Sequence, residues 1–277
     1  MEELIKKAGV LIEALPYIRE FSGKTFVIKY GGKAMIDESL KNSVIQDMVL
    51  MKYIGINPVI VHGGGPEITA AMEKAGMKAK FVNGRRVTDK ATMDIVEAVL
   101  FGKTNKEIVG MFRAHGGKAV GLSGKNSNLL VTRMLDKELG FVGEIEKVHT
   151  AVLAKYREFI PVIAPIGIGA DGQTYNINAD DAAAALAVAV KAEKLILITD
   201  VSGVLKDREL VHSIKMKDIK KMIKDEVITG GMIPKVHSCM TAIAGNVKKA
   251  HIINGTLKHS LLLEIFTKTG IGTEIVK

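Results

Sequence analysis

One cysteine, Cys239, and no tryptophan occur in 277 residues. A lone thiol excludes an internal disulfide framework and a cysteine-built zinc cage, and it points to a reducing, cytoplasmic home. Aromatic residues make up only 5% of the chain, too few for the stacking surface of a single-strand nucleic-acid binder. The lysines behind the formal charge of +9 are scattered singly and in pairs, not gathered into a stripe, so nucleic acid is not an expected partner. No apolar run approaches the roughly 20 residues that span a bilayer, the nearest (182–190) being about half that, and no membrane association is expected. Residues 1–21 mix acids and bases along an amphipathic pattern, unlike a signal or transit peptide.

What is present is 47% apolar and 25% charged, enough for a large core and incompatible with disorder. At this length, one continuous sheet and two lobes are both open. A basic chain also draws anionic metabolites by long-range attraction.

Leu4, Ala8, Leu11, Ile12, Leu15 and Ile18 recur at helical spacing, so 1–21 reads as an amphipathic helix ahead of the first strand. Then comes a repeated unit of strand, glycine turn and helix: strand 25–30, Gly31-Gly32 and helix 37–51, followed by strand 58–62, glycines 63–65 and helix 66–75. The middle, 120–148, is rich in glycine and short β-like pieces (129–133 and 141–148), read as hairpins hung on the sheet. Alternation resumes with strand 160–166, helix 180–190, strand 194–199, helices 216–223 and 234–245, and strand 250–254. This order predicts an α/β fold, a three-layer αβα sandwich around a largely parallel open sheet.

Lys29 closes the first strand against a glycine turn, at the carboxyl edge where open α/β sheets present their ligand crevices. A solvated lysine beside a tight turn would read the same way. Neither a dinucleotide fingerprint nor a Walker loop is present. In His62-Gly-Gly-Gly-Pro66 three glycines precede a proline suited to a helix start, so the N–H groups of Gly64 and Gly65 can meet an anion, although tight packing alone also favours glycine. His62 reads as a hydrogen-bonded structural histidine. Phosphoryl transfer needs charge compensation, which calls for a second cation. Lys235 supplies one: Pro234 fits the first helical position and places Lys235 in the first turn, where the helix dipole opposes a cation by roughly 0.3 to 1 kcal/mol. Asn176-Ile-Asn-Ala-Asp180-Asp181 precedes an alanine-rich helix and offers more polar groups than one N-cap requires. Arg86 can pair bidentately with a carboxylate or lie on the surface.

Taken in order, Lys29-Tyr-Gly-Gly, His62-Gly-Gly-Gly, Asn83-Gly-Arg-Arg-Val-Thr, Asn176-Ile-Asn-Ala-Asp, Thr199-Asp-Val-Ser-Gly-Val and Gly231-Met-Ile-Pro-Lys resemble the motif set of the N-acetylglutamate kinases, of the amino-acid kinase family. The resemblance runs from about residue 25 to the C-terminus. It implies an acyl-amino-acid lobe (23–181) and an ATP lobe (182–277), with 1–22 as an oligomerisation helix. It also implies that Lys29 and Lys235 flank the transferred phosphoryl group, that Asp180 holds both ammonium groups, and that Gly32, Gly64 and Gly65 donate N–H groups to the reacting oxygens. Arg86 and Asn176 would bind the α-carboxylate end of N-acetyl-L-glutamate. Asp200, Val201, Ser202, Gly203, Val204 and Leu205 would line the nucleotide site, with Mg2+ arriving on ATP and no metal site of the protein's own. The N-terminal helix and the tail His259-Ser-Leu-Leu-Leu-Glu264-Ile-Phe-Thr-Lys-Thr-Gly270 resemble those of arginine-inhibited hexameric members, built as trimers of dimers. Tyr17, Lys194, His251, Glu264 and Gly270 would then form an arginine site. A PII-type signalling protein is a candidate further partner. Kinases of acetylaminoadipate or carbamate, and a non-catalytic arginine sensor, are the competing readings.

Overall fold

The computed structural model covers residues 1–277, and its side-chain description leaves aside positions 3, 6 and 7. Short strands with apolar residues on both faces decide the layering, because successive side chains point to opposite sides of a sheet. In β1 (Thr25–Tyr30), Phe26, Ile28 and Tyr30 enter one core and Val27 the other. β2 (Asn57–His62) follows the same pattern, with Ile60 on one side and Val59 and Val61 on the other. Lys29 shares the face of Val27, which turns it toward the helices of that side.

The remaining strands of the main sheet are β3 (Ala119–Leu122), β4 (Ile160–Ile163), β5 (Lys194–Thr199), β6 (Ser213–Lys215), β7 (Lys249–Asn254) and β8 (Thr273–Val276). Their spatial order is β6-β8-β7-β5-β1-β2-β4-β3. Every neighbouring pair is parallel except β7 with β8. β1 sits in the middle, in register with β2 (Lys29 opposite Val61) and with β5 (Lys29 opposite Leu197). The chain runs from β1 to β2 on one side and later returns to β5 on the other, so the carboxyl end of β1 lies at a reversal of strand order.

On one face α2 (Glu38–Tyr53) packs with the helix Asn105–Ala114 and the helix Ser260–Ile265 through residues such as Ile45, Met48, Phe112 and Leu261. On the other, the alanine-rich helix Ala179–Ala189 lies beneath the helix Met232–Ala244. Alanines such as Ala182, Ala183 and Ala187, all fully buried, let it approach the strands closely. Helix α1 (Glu2–Phe21) leaves Leu4, Ile5, Leu11 and Ile12 exposed.

Two expectations need correcting. The strand expected at 160–166 is two: β4 ends at Ile163 in the main sheet, and Ile166–Ile168 belongs to a separate four-stranded sheet. Pro165 stands at the break, where it lacks the N–H that continued pairing needs. That second sheet also holds the antiparallel pair Leu130–Met134 and Gly143–Val148. The helix expected at 234–245 begins at Met232, which makes Pro234 its third residue rather than its first. A proline is tolerated there because the first four N–H groups of a helix have no intrahelical acceptor.

Between these elements, 90–114 forms α3 (Lys90–Glu97), a π-helical segment Ala98–Thr104 and α4 (Asn105–Ala114) in one continuous run. Asp89 caps its start by accepting from Thr92 N at 2.8 Å. Among the later helices are α5 (Ala179–Ala189), α6 (Met232–Ala244) and α7 (Ser260–Ile265).

Candidate active site

Three parts of the chain meet at the carboxyl end of β1. Asn178 caps α5, its side chain accepting from Asp180 N at 2.8 Å and Asp181 N at 3.2 Å. With the cap supplied, both aspartates are available for other partners. Asp180 Oδ2 accepts a hydrogen bond from Lys235 Nζ at 3.0 Å, and Lys29 Nζ lies 3.1 Å from Oδ1 as an ion pair without hydrogen-bond alignment. The carboxylate is almost wholly buried, which by itself would raise its pKa; the ammonium groups of Lys29 and Lys235 overcome this and hold it below the usual value. Asp181, one residue on, joins Arg85 Nη2 at 2.8 Å and Ser238 Oγ at 3.0 Å. The first turn of α5 thus gathers β1, α6 and the hairpin that carries Arg85.

Lys29, Gly64, Gly65, Arg86 and Asn176 line one cavity of roughly 220 Å3, together with Phe81, Leu100 and Asn178. Arg86 is a buried part of this lining. Its Nη2 donates to Gly65 O at 3.0 Å and Thr69 Oγ1 at 2.8 Å, its guanidinium lies 4.8 Å from the centre of the Phe81 ring, and burial lowers its pKa. Asn176 Nδ2 donates to Thr88 Oγ1 at 3.2 Å. The cavity therefore combines cations, amide groups and glycine N–H groups, a donor-rich lining suited to a small carboxylate.

Gly32 turns away from β1 with φ +72°, and any Cβ there would collide with the Asp200 carboxylate. That carboxylate accepts from Lys33 N at 2.5 Å. Asp200 therefore approaches the glycine turn. Val201 and Leu205 are exposed, Gly203 packs on Thr273, and Val204 is buried with its N–H bonded to Thr273 Oγ1 at 2.9 Å. Ser202, half-buried, completes the loop. None of residues 200–205 lines the cavity of Lys29 and Arg86.

Tyr17, Lys194, His251, Glu264 and Gly270 meet elsewhere, around a larger cavity of roughly 730 Å3. Glu264 Oε1 bonds His251 Nδ1 at 2.6 Å, while Oε2 accepts from Ile271 N at 2.7 Å and Gly272 N at 2.9 Å. Burial would raise the Glu264 carboxyl, but these partners lower it below the usual range. Lys194 Nζ lies 3.4 Å from His251 Nε2 and 5.0 Å from the centre of the Phe21 ring. Gly270 adopts φ +64°, and a Cβ there would stand 2.6 Å from Glu264 Oε2.

Sequence reasoning passed over Phe81, Leu100, Arg85 and Asp181. The hairpin that presents Phe81 was within reach: Asn83-Gly84, with φ 49° and 75°, is the two-residue turn that joins Phe81–Val82 to Arg85–Arg86. Nothing in the sequence marks Leu100, whose position depends on the π-helical segment.

A model of the amino acid kinase family matches residues 24–254. An acetylglutamate kinase from Geotalea uraniireducens is 56% identical, with 100% of each chain covered. Among solved structures, N-acetylglutamate synthase from Neisseria gonorrhoeae complexed with coenzyme A and N-acetyl-glutamate superposes with a TM-score of 0.86 at 27% identity, covering 98% of this chain, which spans 63% of the synthase chain. The same synthase complexed with coenzyme A and L-arginine gives a TM-score of 0.84 at 26% identity over 98% of this chain and 65% of its own.

Proposed function

Because the chain belongs to the amino acid kinase family and, within it, to the acetylglutamate kinases, we propose that it transfers the γ-phosphoryl group of ATP to the γ-carboxylate of N-acetyl-L-glutamate. The product is the acyl phosphate N-acetyl-L-glutamyl 5-phosphate. The observation that carries this reading is the Lys29–Asp180–Lys235 bridge, whose Lys29 lines a cavity together with Gly64, Gly65, Arg86 and Asn176.

Chemistry and geometry fit together at that point. The acceptor carboxylate is ionised at neutral pH and attacks the γ-phosphorus without a general base. Negative charge on the transferring group is then the main obstacle, and two ammonium groups and preorganised N–H donors are what reduces it. Asp180 would offset the mutual repulsion of the lysines and hold both aimed at the phosphoryl group, and Gly32, Gly64 and Gly65 would donate to its oxygens. Arg86 and Asn176 would hold the α-carboxylate end of the acyl-amino acid. The loop 200–205 would receive MgATP from the 182–277 side, with 23–181 as the acyl-substrate lobe. Steady-state assays with N-acetylglutamate and its one-methylene-longer adipate analogue test the substrate, since one methylene is worth only about 1–3 kcal/mol of discrimination. Equal or better turnover of the adipate analogue would overturn it.

A second reading concerns regulation. Glu264 offers a buried carboxylate to a large cavity shared with Tyr17, His251 and Gly270, and the related synthase has been solved with L-arginine. Both support arginine as a feedback inhibitor bound there, acting by preference for one of two states. The exposed apolar side chains of α1 support a role for that helix in joining dimers into a hexamer. Arginine is expected to raise the apparent KM for acetylglutamate, and removal of residues 1–21 to abolish both inhibition and hexamer in light scattering. A truncated chain that stays an arginine-inhibited hexamer would refute this.

A further inference from the structure

His62 ends β2 fully buried, with no part in the charge chemistry above. Its Nδ1 lies 2.7 Å from Gly63 O, and its Nε2 lies 3.2 Å from Asn105 Nδ2. Asn105, itself buried at the start of α4, gives its other amide hydrogen to Val162 O at 2.9 Å. A carbonyl oxygen only accepts, so Nδ1 carries the proton; an amide nitrogen only donates, so Nε2 offers its lone pair. The tautomer is set from both ends. Burial pushes the imidazole down to about 4, which keeps it neutral near pH 7.

The Gly63 carbonyl belongs to the same peptide unit as the Gly64 N–H, and in a trans peptide the two point in opposite directions. Gripping the carbonyl from the core side therefore aims the N–H away from the core, where Gly64 lines the cavity with Lys29. The unit before it is pinned as well, since Gly63 N donates to Tyr30 O at 2.7 Å. Among the described residues the Gly64 N–H has no acceptor. The π-helical segment Ala98–Thr104 serves the same turn twice. It delivers Asn105 to His62, and it seats Leu100 so close to Gly64 that any Cβ there would collide with Leu100 Cδ2. Wide helical turns of this kind recur where a side chain must be placed off the α-helical register.

We propose that His62 and Asn105 are positioning residues for the phosphoryl transfer, a buried pair that holds the Gly63 carbonyl so that the Gly64 N–H faces the reacting oxygens. This role rests on the reaction read above. It differs from mere core filling because it depends on one ring nitrogen, and the two amide substitutions of His62 separate the alternatives. Asparagine places its NH2 near the Nδ1 position and can keep the bond to Gly63 O. Glutamine places its amide near Nε2, keeps the contact with Asn105 and loses the grip on the carbonyl.

The test compares His62→Asn, His62→Gln and Asn105→Ala in steady-state kinetics, with thermal unfolding alongside. His62→Asn is expected to keep kcat within a few-fold of wild type. The other two should lower kcat by about tenfold or more with the KM for ATP nearly unchanged, as for a misaimed transition-state donor. Equal kcat for the asparagine and glutamine variants, or a loss confined to KM, would overturn the proposal. A measurement on the unmodified protein covers variants that fail to fold: 15N NMR of the imidazole should show Nδ1 protonated and Nε2 bare, and the opposite tautomer would overturn the proposal. If the wild-type chain itself forms no acetylglutamate-dependent ADP, the reaction assignment fails and this role with it, whereas a wrong tautomer in an active enzyme strikes the proposal alone.

Discussion

Asp180→Asn separates the charge of the lysine bridge from its shape. The substitution keeps the size of the side chain but removes its negative charge, and the new NH2 can only donate, so one of Lys29 and Lys235 loses its acceptor. Both ammonium groups lie within 3.1 Å of the carboxylate, which keeps them within about 8 Å of each other, and two unit charges roughly 5–8 Å apart repel by about 2–3 kcal/mol at an effective dielectric of 20. The lysine tips retain some access to solvent, so the loss of folding stability should be smaller, about 1–2 kcal/mol. The catalytic loss should be larger, because a displaced lysine no longer meets the charge that develops in transfer; about 100-fold or more in kcat is expected. A coupled assay for ADP formation gives kcat and KM, and thermal unfolding across pH gives stability. The wild-type carboxyl, held below its ordinary value, contributes stability that is present above the ordinary 3.8 and lost as pH falls through the lower folded value. The variant should lack this acid limb. Wild-type kcat in Asp180→Asn, or an unchanged acid limb, would refute the bridge as the organiser of the two lysines.

Other outcomes follow from the same geometry. Lys235→Ala should lower kcat by about 100- to 1,000-fold while equilibrium binding of ATP survives, and an unchanged kcat would remove Lys235 from the chemistry. Gly32→Ala should cost about 1 kcal/mol of backbone strain at φ +72° and also displace the Asp200 carboxylate, weakening kcat/KM for ATP; kinetics like those of wild type would count against that loop as part of the nucleotide site. Burial raises the Asp47 carboxyl and its bond to His259 Nδ1 at 2.6 Å offsets this only in part, so that the carboxyl stands at about 6. The stability that a raised carboxyl contributes is fully present below the ordinary 3.8 and lost as pH rises through about 6, so Asp47→Asn should flatten the fall in melting temperature between about pH 4 and about pH 6, and a parallel fall in both proteins would contradict this. Glu264→Ala should abolish the effect of arginine on the KM for acetylglutamate; inhibition that persists would place arginine elsewhere.

Much of this architecture is legible in the chain because it rests on local signals. The strand, glycine turn and helix units around Gly31-Gly32 and Gly63-Gly64-Gly65 announce themselves, and the excess of polar groups before α5 points to more than a cap. What was not legible depends on tertiary placement. Nothing local reveals that the strand after Ile163 changes sheets, since Pro165 reads equally well as an edge residue. Pro234 suggested a helix start, but two preceding residues join the helix because its first turn tolerates a missing N–H. Asn105 reads as an ordinary polar residue within a helical run, and only the π-helical segment before it brings it to His62. Asp181 reads as a second capping acid, whereas its partners come from a hairpin and from another helix.

The central position of β1 also bears on how the enzyme comes into being. β1 precedes the other strands of the sheet, yet one of its two ladders needs β5, and the bridge at Asp180 needs Lys235, which comes far later in the sequence. Such long-range pairing closes late in folding. A nascent or prematurely terminated polypeptide that ends before α6 therefore carries Lys29 and the glycine turns but lacks Lys235 and the pair it forms with Asp180. Translation errors of that kind should yield inert fragments instead of a wasteful ATPase, so that catalytic competence reports on a finished polypeptide.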